Sequence, residues 1–475
     1  MRRFAPLALS LSLAAPGLAP APAIAAPALT PAAAATESAR EAAMEGYLYF
    51  YPLLTLDLTR RQFTHPSQSE QGAPANAFLH TRALPRPGSA TPWANPDMLR
   101  SSAWLDLSAG PVVLSVPDSQ GRLYTLTLLD LWNEAFATIG TRSTGTARGN
   151  TAIVPPGWTG TLPSGMPRID APTAYVWVRS LIQADGPADY PTVHALQDGF
   201  TLTPLAQWNL PAQSQRVKAD PSLDLKTPVR EQVESMPTDA FFTYAAELLR
   251  RNPPHATDQP VLAKLRRVGL IPGRPFDFDK LDHPVKQGLR RALSAQAQPG
   301  AGLPEDLSAL LLAADSQGRP LDGAHRYTLH FDGGQLPPAG ALWSLTAYDA
   351  QGLPVANPIE RYTLGERDPL QYNADGSLDL LISHTAPEPG AQANWLPVAA
   401  GGPVYVLLRV YAPGPALLDG LWTPPPAVRE DPQPEPEPAP EPEPRAQAAT
   451  APAATPPAKA PPGAPVTAPG PAKKP

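Results

Sequence analysis

The chain divides by the period of its apolar positions. "SAREAAMEGYLYFYPLLTL" reads as a helix, with Ser38 and Glu41 spaced as a capping box, and Pro52 is expected to end or kink it. A strand-rich block follows. "PVVLSVP" (Pro111 to Pro117) and "RLYTLTLLDLW" (Arg122 to Trp132) flank Asp118-Ser119-Gln120-Gly121, a spacing that predicts a hairpin. In "TAYVWVRSLI" (Thr173 to Ile182), Ala174, Val176 and Val178 alternate with Tyr175, Trp177 and Arg179, the period of a strand with two unlike faces. The block closes near "LTPLAQW".

From Asp220 to about Ala314 the period becomes helical. "TDAFFTYAAELLRR" sets Phe242, Ala245, Leu248 and Leu249 on one face, and "PVKQGLRRALSAQ" and "PEDLSALLLAA" each begin with Pro at a first-turn position. Short strands then return in "RYTLHF", "ALWSLTAYD", "LDLLISH" and "VYVLLRVY", separated by Gly, Pro and Asp turns. The expected fold is mainly β with a helical connector (α+β): two β-sandwich or jelly-roll-like domains. Trp104, Trp343 and Trp395 sit in strand-forming segments and are expected to pack in the cores or between domains, with stacking on Arg409 open to one of them.

The two ends differ from this pattern. "MRRFAPLALSLSLAAPGLAPAPAIAAPALT" runs from Arg2-Arg3 through a short apolar stretch to Ala23-Ile24-Ala25, the order of a secretory signal cleaved after Ala25. From about Thr423 large apolar residues almost vanish, and Glu-Pro alternates from Pro434 to Pro444. Such a segment cannot offset the entropy of ordering, and it is expected to be a disordered tail acting as an extended spacer or a partner's ligand. The expected divisions are therefore 1–25 (signal), 26–45 (linker and helix start), 46–209 (first β domain), 210–320 (helical connector), 321–428 (second β domain) and 429–475 (tail). No later segment has the roughly 18 apolar residues of a membrane span, so a soluble periplasmic or secreted protein is expected.

Composition narrows the chemistry. The net charge of −6 over 475 residues comes with no basic block, which argues against a nucleic-acid partner. The absence of Cys excludes disulfides, thiolate metal sites, a Cys nucleophile and a Cys-linked lipid. No zinc-protease, nucleophile-elbow, Walker or dinucleotide motif occurs, and the eight His residues are scattered, so no metal or cofactor is expected.

Carboxylates remain as candidates for acid–base work: Asp106 in "WLDL", Asp130 and Glu134 in "LLDLWNEAF", and Asp97. The alternative for Asp106 and Asp130 is to cap turns or to pair with Arg122 or Arg142. In "NPIERYTLGERD", Arg361 is expected to brace a loop through Asp368 or Asp349, or to contact a ligand, whereas Glu366 and Arg367 read as ordinary loop charges.

Several ordered segments carry a resemblance. "SSAWLDLSAGPVVLSVPDSQGRLYTLTLLDLWNEAFATIGTRSTG", "IDAPTAYVWVRSL" and "LQDGFTLTPLAQW" resemble the bacterial domain of unknown function 1254. "LWSLTAYD", "NPIERYTLGERD", "DGSLDLLI", "NWLPV", "LLRVYAP" and "GLWTPPPAV" resemble its companion, domain of unknown function 1214. The resemblance implies two β-sandwich-like domains joined by helices, often in exported proteins, with no settled biochemical function. It also marks Asn95, Arg361 and Tyr362 as candidate ligand contacts. Relatives carry Asn-x-Asp-Thr, a hydrophobic residue and Tyr where this chain has Asn95-Pro96-Asp97-Met98-Leu99-Arg100, so Asn and Asp stay and the hydroxyl residues are gone. The expectation is an exported envelope protein that binds a polymer or protein partner without catalysis. The alternative is a carboxylate-dependent hydrolase acting on a glycan or similar polymer.

Overall fold

The computed structural model describes residues 31–68, 70–88, 91–210, 219–267 and 302–430. The expected signal, the segment Pro284–Gln296 and most of the Pro-rich tail lie outside them.

The first element, α1 (Pro31–Phe63), runs unbroken through both Ser38 and Pro52. Ser38 is therefore inside the helix rather than its cap, and Pro52 does not end it. The reason is burial on every side: Tyr49, Phe50, Tyr51, Leu53, Leu54, Leu56 and Leu58 are all core residues. Packing on this scale exceeds the roughly 3 kcal/mol that an internal Pro costs a helix.

Nine strands of the described residues follow: β1 (Leu79–His80), β2 (Met98–Asp106), β3 (Val112–Val116), β4 (Tyr124–Leu129), β5 (Ala135–Gly140), β6 (Gly149–Val154), β7 (Arg168–Asp170), β8 (Tyr175–Gln183) and β9 (Thr201–Pro204), with helix α2 (Tyr190–Asp198) before the last. They form a five-stranded sheet, β1-β2-β8-β4-β5, facing a four-stranded sheet, β7-β6-β3-β9. The expected β3–β4 hairpin does not form. β3 pairs with β6 and β9, whereas β4 pairs with β5 and β8, so the Asp118–Gly121 turn carries the chain from one sheet to the other. Both strands thereby bury their apolar residues in the shared core around Val112, Leu114, Leu126 and Leu128.

The alternation in β8 holds. Val176, Val178, Ser180 and Ile182 are buried toward that core, while Tyr175, Trp177, Arg179, Leu181 and Gln183 face outward and are half-buried. Against one end of this outer face lie α1 and the connector helices α3 (Val229–Glu234), α4 (Thr238–Arg251) and α5 (Gln259–Arg267). Phe241, Phe242, Ala245 and Leu248 supply the buried face of α4.

The second sandwich holds β10 (Leu307–Leu312), β11 (Tyr327–Phe331), β12 (Ala339–Tyr348), β13 (Thr363–Gly365), β14 (Leu378–Ser383), β15 (Trp395–Pro397), β16 (Tyr405–Pro413), the short helix α6 (Pro415–Leu418) and β17 (Val428–Arg429). Its sheets run β10-β16-β12-β13 and β15-β14-β11-β17. "PEDLSALLLAA", read above as a helix, is instead the edge strand β10, antiparallel to β16 over six residue pairs. Leu and Ala suit a helix locally, but the open edge of β16 supplies backbone partners that a lone helix would lack. Trp343 and Trp395 are buried in this half and Trp104 in the first. The described parts of both sandwiches and the connector belong to one compact unit ending at Glu430.

Candidate functional site

The segment before β2 is clamped between the sandwiches. Asn95 Oδ1 accepts the Asp97 N–H at 2.9 Å, and Asn95 Nδ2 donates to Tyr411 Oη at 2.8 Å. Tyr411 then donates to Asp97 Oδ2 at 3.1 Å, and Ser344 Oγ donates to the same oxygen at 2.5 Å. The other oxygen, Oδ1, takes Arg367 Nη2. Arg367 also reaches Asp185 at 2.6 Å and the Ala184 carbonyl at 3.3 Å. Arg367 is therefore no ordinary loop charge. Burial disfavours its charge, but Asp97 and Asp185 outweigh that and raise its pKa. Burial first, and Asp97 second, push the Tyr411 hydroxyl well above its ordinary value, so it stays a neutral donor.

Beside this clamp, Arg409 is held by neutral oxygens: Tyr348 Oη at 2.6 Å, Thr346 Oγ1 at 2.8 Å and the Trp93 carbonyl at 3.3 Å. Its cation–π partner is Tyr348, 5.7 Å from the ring centre, in place of the expected tryptophan.

The other candidates serve separate places. Asp106 accepts the Ser108 N–H at 2.9 Å and so closes a turn. Asp130 Oδ1 accepts N–H groups from Trp132 at 2.9 Å and Glu134 at 3.0 Å, across a turn in which Asn133 adopts φ 65°. His255, from the connector, sets Nε2 2.7 Å from Asp130 Oδ2 and 3.5 Å from Glu134 Oε2. The first distance is a close approach that does not meet hydrogen-bond geometry. Asp130 and Glu134 thus meet about one imidazole, a role no motif around His255 announced. Arg122 pairs with Asp189 and Arg142 with Asp306, leaving neither to Asp106 or Asp130. Among the described residues no group of His, Asp and Glu is arranged to hold a metal ion.

Arg361 donates to the carbonyls of Gln392 at 2.7 Å, Ala393 at 3.4 Å and Trp395 at 2.9 Å. Of the expected partners, Asp368 takes the Gly365 N–H and feels the Arg361 charge without a direct bond to it, whereas Asp349 takes the N–H groups of Gln351 and Leu353. Tyr362 is half-buried beside it.

The outer face of the five-stranded sheet packs at one end against α1 and the connector helices and at the other against Leu342 and Tyr411 of the second sandwich, with polar rows between. Strand register aligns Ser102, Arg179, Thr127 and Thr138 in one row across β2, β8, β4 and β5. Arg100, Leu181 and Thr125 make the next row, and Trp104 with Trp177 the row on the other side. The two indoles stack at 5.2 Å and 8°, Trp177 Nε1 donates to Ser102 Oγ at 2.8 Å, and Arg179 lies 5.0 Å from the Trp177 ring centre. Burial, then the neighbouring Arg100, bring Arg179 down to about 10. Burial and Arg409 lower Arg100 in turn. The alternation in "YVWVRS" had already put Arg179 and Trp177 on one face; nothing in the sequence set Arg100 beside them.

The family description "Protein of unknown function (DUF1254)" matches residues 75–204, and "Protein of unknown function (DUF1214)" matches residues 307–415. The chain belongs to this two-domain family. The fold of the chain is similar to that in the crystal structure of the VPA0106 protein from Vibrio parahaemolyticus, at 22% identity and TM-score 0.60 over 83% of this chain and 100% of that one. A putative uncharacterized protein from Burkholderia cenocepacia aligns at 12% identity and TM-score 0.39, over 84% of this chain and 94% of that one. No curated protein matches. No helix among the described residues is long and apolar enough to cross a membrane.

Proposed function

We propose that this family member is an exported, non-catalytic binding protein of the cell envelope, which holds a polymer or protein partner. The observation that carries this reading is the state of Asp97. Of the candidate carboxylates it alone lies in the clamp between the sandwiches, and its oxygens are taken by Ser344, Tyr411 and Arg367. A carboxylate so engaged, and fully buried, holds two sandwiches in register and presents no exposed oxygen to a substrate. The charged, apolar and small-residue order of the first 25 residues supports export, and the Glu-Pro composition of the C-terminal end suits a spacer or a partner's ligand.

Expression in a bacterial host with fractionation, N-terminal analysis and a binding array of envelope glycans and proteins tests this reading. The expected result is a periplasmic or secreted product beginning at Ala26 that retains at least one array component without altering it. A cytoplasmic product beginning at Met1, or cleavage of a retained polymer, overturns it.

One observation favours the second reading, hydrolysis of a glycan: Asp130 and Glu134 flank His255. Glycan breakdown by the wild type that Asp130→Asn and Glu134→Gln both abolish would establish that reading instead.

A further inference from the structure

Where the connector meets the first sandwich, an open groove of about 470 Å³ lies between the turn after β2, the turn after β6 and the end of α4. That volume falls in the range of small-ligand sites. The turns contribute Leu107, Ser108, Pro155, Pro156 and Trp158, and α4 contributes Arg251. Among the described residues that line the groove, Arg251 is the one with a charge. Its side chain is exposed, and among the described residues no carboxylate forms an ion pair with it. The helix end that carries it is nevertheless fixed. Asn252 is buried and donates to the Leu248 carbonyl at 3.0 Å, and the Pro253 carbonyl accepts Trp132 Nε1 at 3.1 Å.

Trp158 is held just as firmly. Gly160 lies so close to the indole that a Cβ there would stand 2.3 Å from Cζ2. Arg168 donates to the Trp158 carbonyl at 3.0 Å, sets its guanidinium 5.3 Å from the ring centre, and is itself paired with Asp170. The Trp158 N–H closes its turn on the Pro155 carbonyl at 3.2 Å, with Gly157 at φ 70°. Trp158 belongs to no core cluster and stays partly exposed, so this bracing orients an indole at the groove rather than filling an interior. On another wall Asp106 accepts the Ser108 N–H at 2.9 Å, and Ser108 is left exposed. An oriented indole, flanking prolines, one hydroxyl and one guanidinium without a carboxylate fit a sugar acid. The C–H face of such a ring packs on an indole, and its carboxylate takes two parallel N–H bonds from a guanidinium. Because the groove is open, a unit within a longer chain can lie in it.

We propose that this groove binds a uronate unit of an acidic glycan, with the sugar ring on Trp158, the carboxylate on Arg251 and a ring hydroxyl on Ser108. The inference rests on the binding reading and deepens it, by naming the place and the chemical class of the polymer.

Calorimetric titration of the full mature chain tests this, with oligomers of galacturonate, mannuronate and glucuronate, their methyl esters, and maltotriose, all at one ionic strength. The expected result is saturable binding of at least one uronate oligomer, with its methyl ester weaker by about tenfold or more, as for loss of a charged hydrogen bond. Arg251→Gln is expected to lose the preference for acid over ester. Its exposed side chain carries no fold contact among the described residues, so it is expected to melt with the wild type. Trp158→Ala is expected to weaken acid and ester alike by about tenfold or more, the loss typical of a central Trp contact, and Trp158→Phe to restore part of it. Binding of no uronate oligomer, or uronate binding that Arg251→Gln and Trp158→Ala both leave intact, overturns the proposal. Retention of a neutral polymer or a protein alone overturns the groove's assignment and leaves the binding reading standing. Cleavage of a uronate oligomer by wild type and Arg251→Gln alike overturns both.

Discussion

Arg367 and Asp97, 270 positions apart in sequence, form an ion pair that ties the loop after β13 to the segment before β2. Asp97 is fully buried, while the Arg367 side chain keeps 27% exposure and shares itself with Asp185. The pair is therefore asymmetric. Removing Arg367 leaves a buried carboxylate without its cation, whereas neutralising Asp97 leaves an arginine that still has a carboxylate and water. Arg367→Ala is expected to lose about 3 kcal/mol, at the low end for breaking a buried pair, and Asp97→Asn distinctly less. Urea unfolding of both variants checks the order, and equal losses would mean that Ser344 and Tyr411 alone hold Asp97.

His80 gives the fold a defined acid sensitivity. Burial, then the nearby Arg82, lower its pKa from 6.5 to about 4, and its Nδ1 lies 2.8 Å from Ser101 Oγ. The folded state thus binds fewer protons than the unfolded state between those values. Stability from this group is complete above about pH 6.5 and falls as the pH drops toward 4. His80→Gln is expected to flatten the fall in thermal midpoint between pH 6.5 and 4. An unchanged slope would assign the acid loss to other groups.

Trp343 lies in the second core, 2% exposed, with the Phe331 ring 6.0 Å away. Trp343→Ala is expected to cost about 3–5 kcal/mol, the range for truncating a large core aromatic. A variant that melts like the wild type would mean the second sandwich can close over the gap.

Arg361 tests recognition against bracing. Its Nη1 is committed to the carbonyls of Gln392, Ala393 and Trp395. Arg361→Lys is expected to lower stability by about 1–2 kcal/mol and to leave retention of a binding-array partner unchanged. Lost retention at full stability would return Arg361 to a ligand site.

The parts of the fold that were legible in sequence depend on local period. The two faces of β8 and the buried face of α4 follow directly from residue spacing. The misread parts depend on partners distant in the chain. β3 and β4 look like a hairpin because a four-residue turn joins them, yet each finds its neighbours elsewhere. β10 has helix-forming residues and takes its state from β16, about a hundred positions later. The site follows the same rule. Asp97 and Asn95 drew attention through a motif, but Arg367 lies in a charged loop whose sequence carries no sign of Asp97. His255 follows a Pro-Pro pair and meets Asp130 only after the connector folds back.

The stacked indoles of Trp104 and Trp177 have an optical consequence. At 5.2 Å and nearly parallel, their transition dipoles couple, and such a pair contributes a two-signed circular-dichroism band. Trp104 belongs to β2 and Trp177 to β8, facing each other in one register pair of the five-stranded sheet. A slip of one residue would send one indole to the opposite face and remove the coupling. The band therefore reports the alignment of two particular strands, so that during refolding the assembly of this sheet can be timed apart from the general gain of β structure.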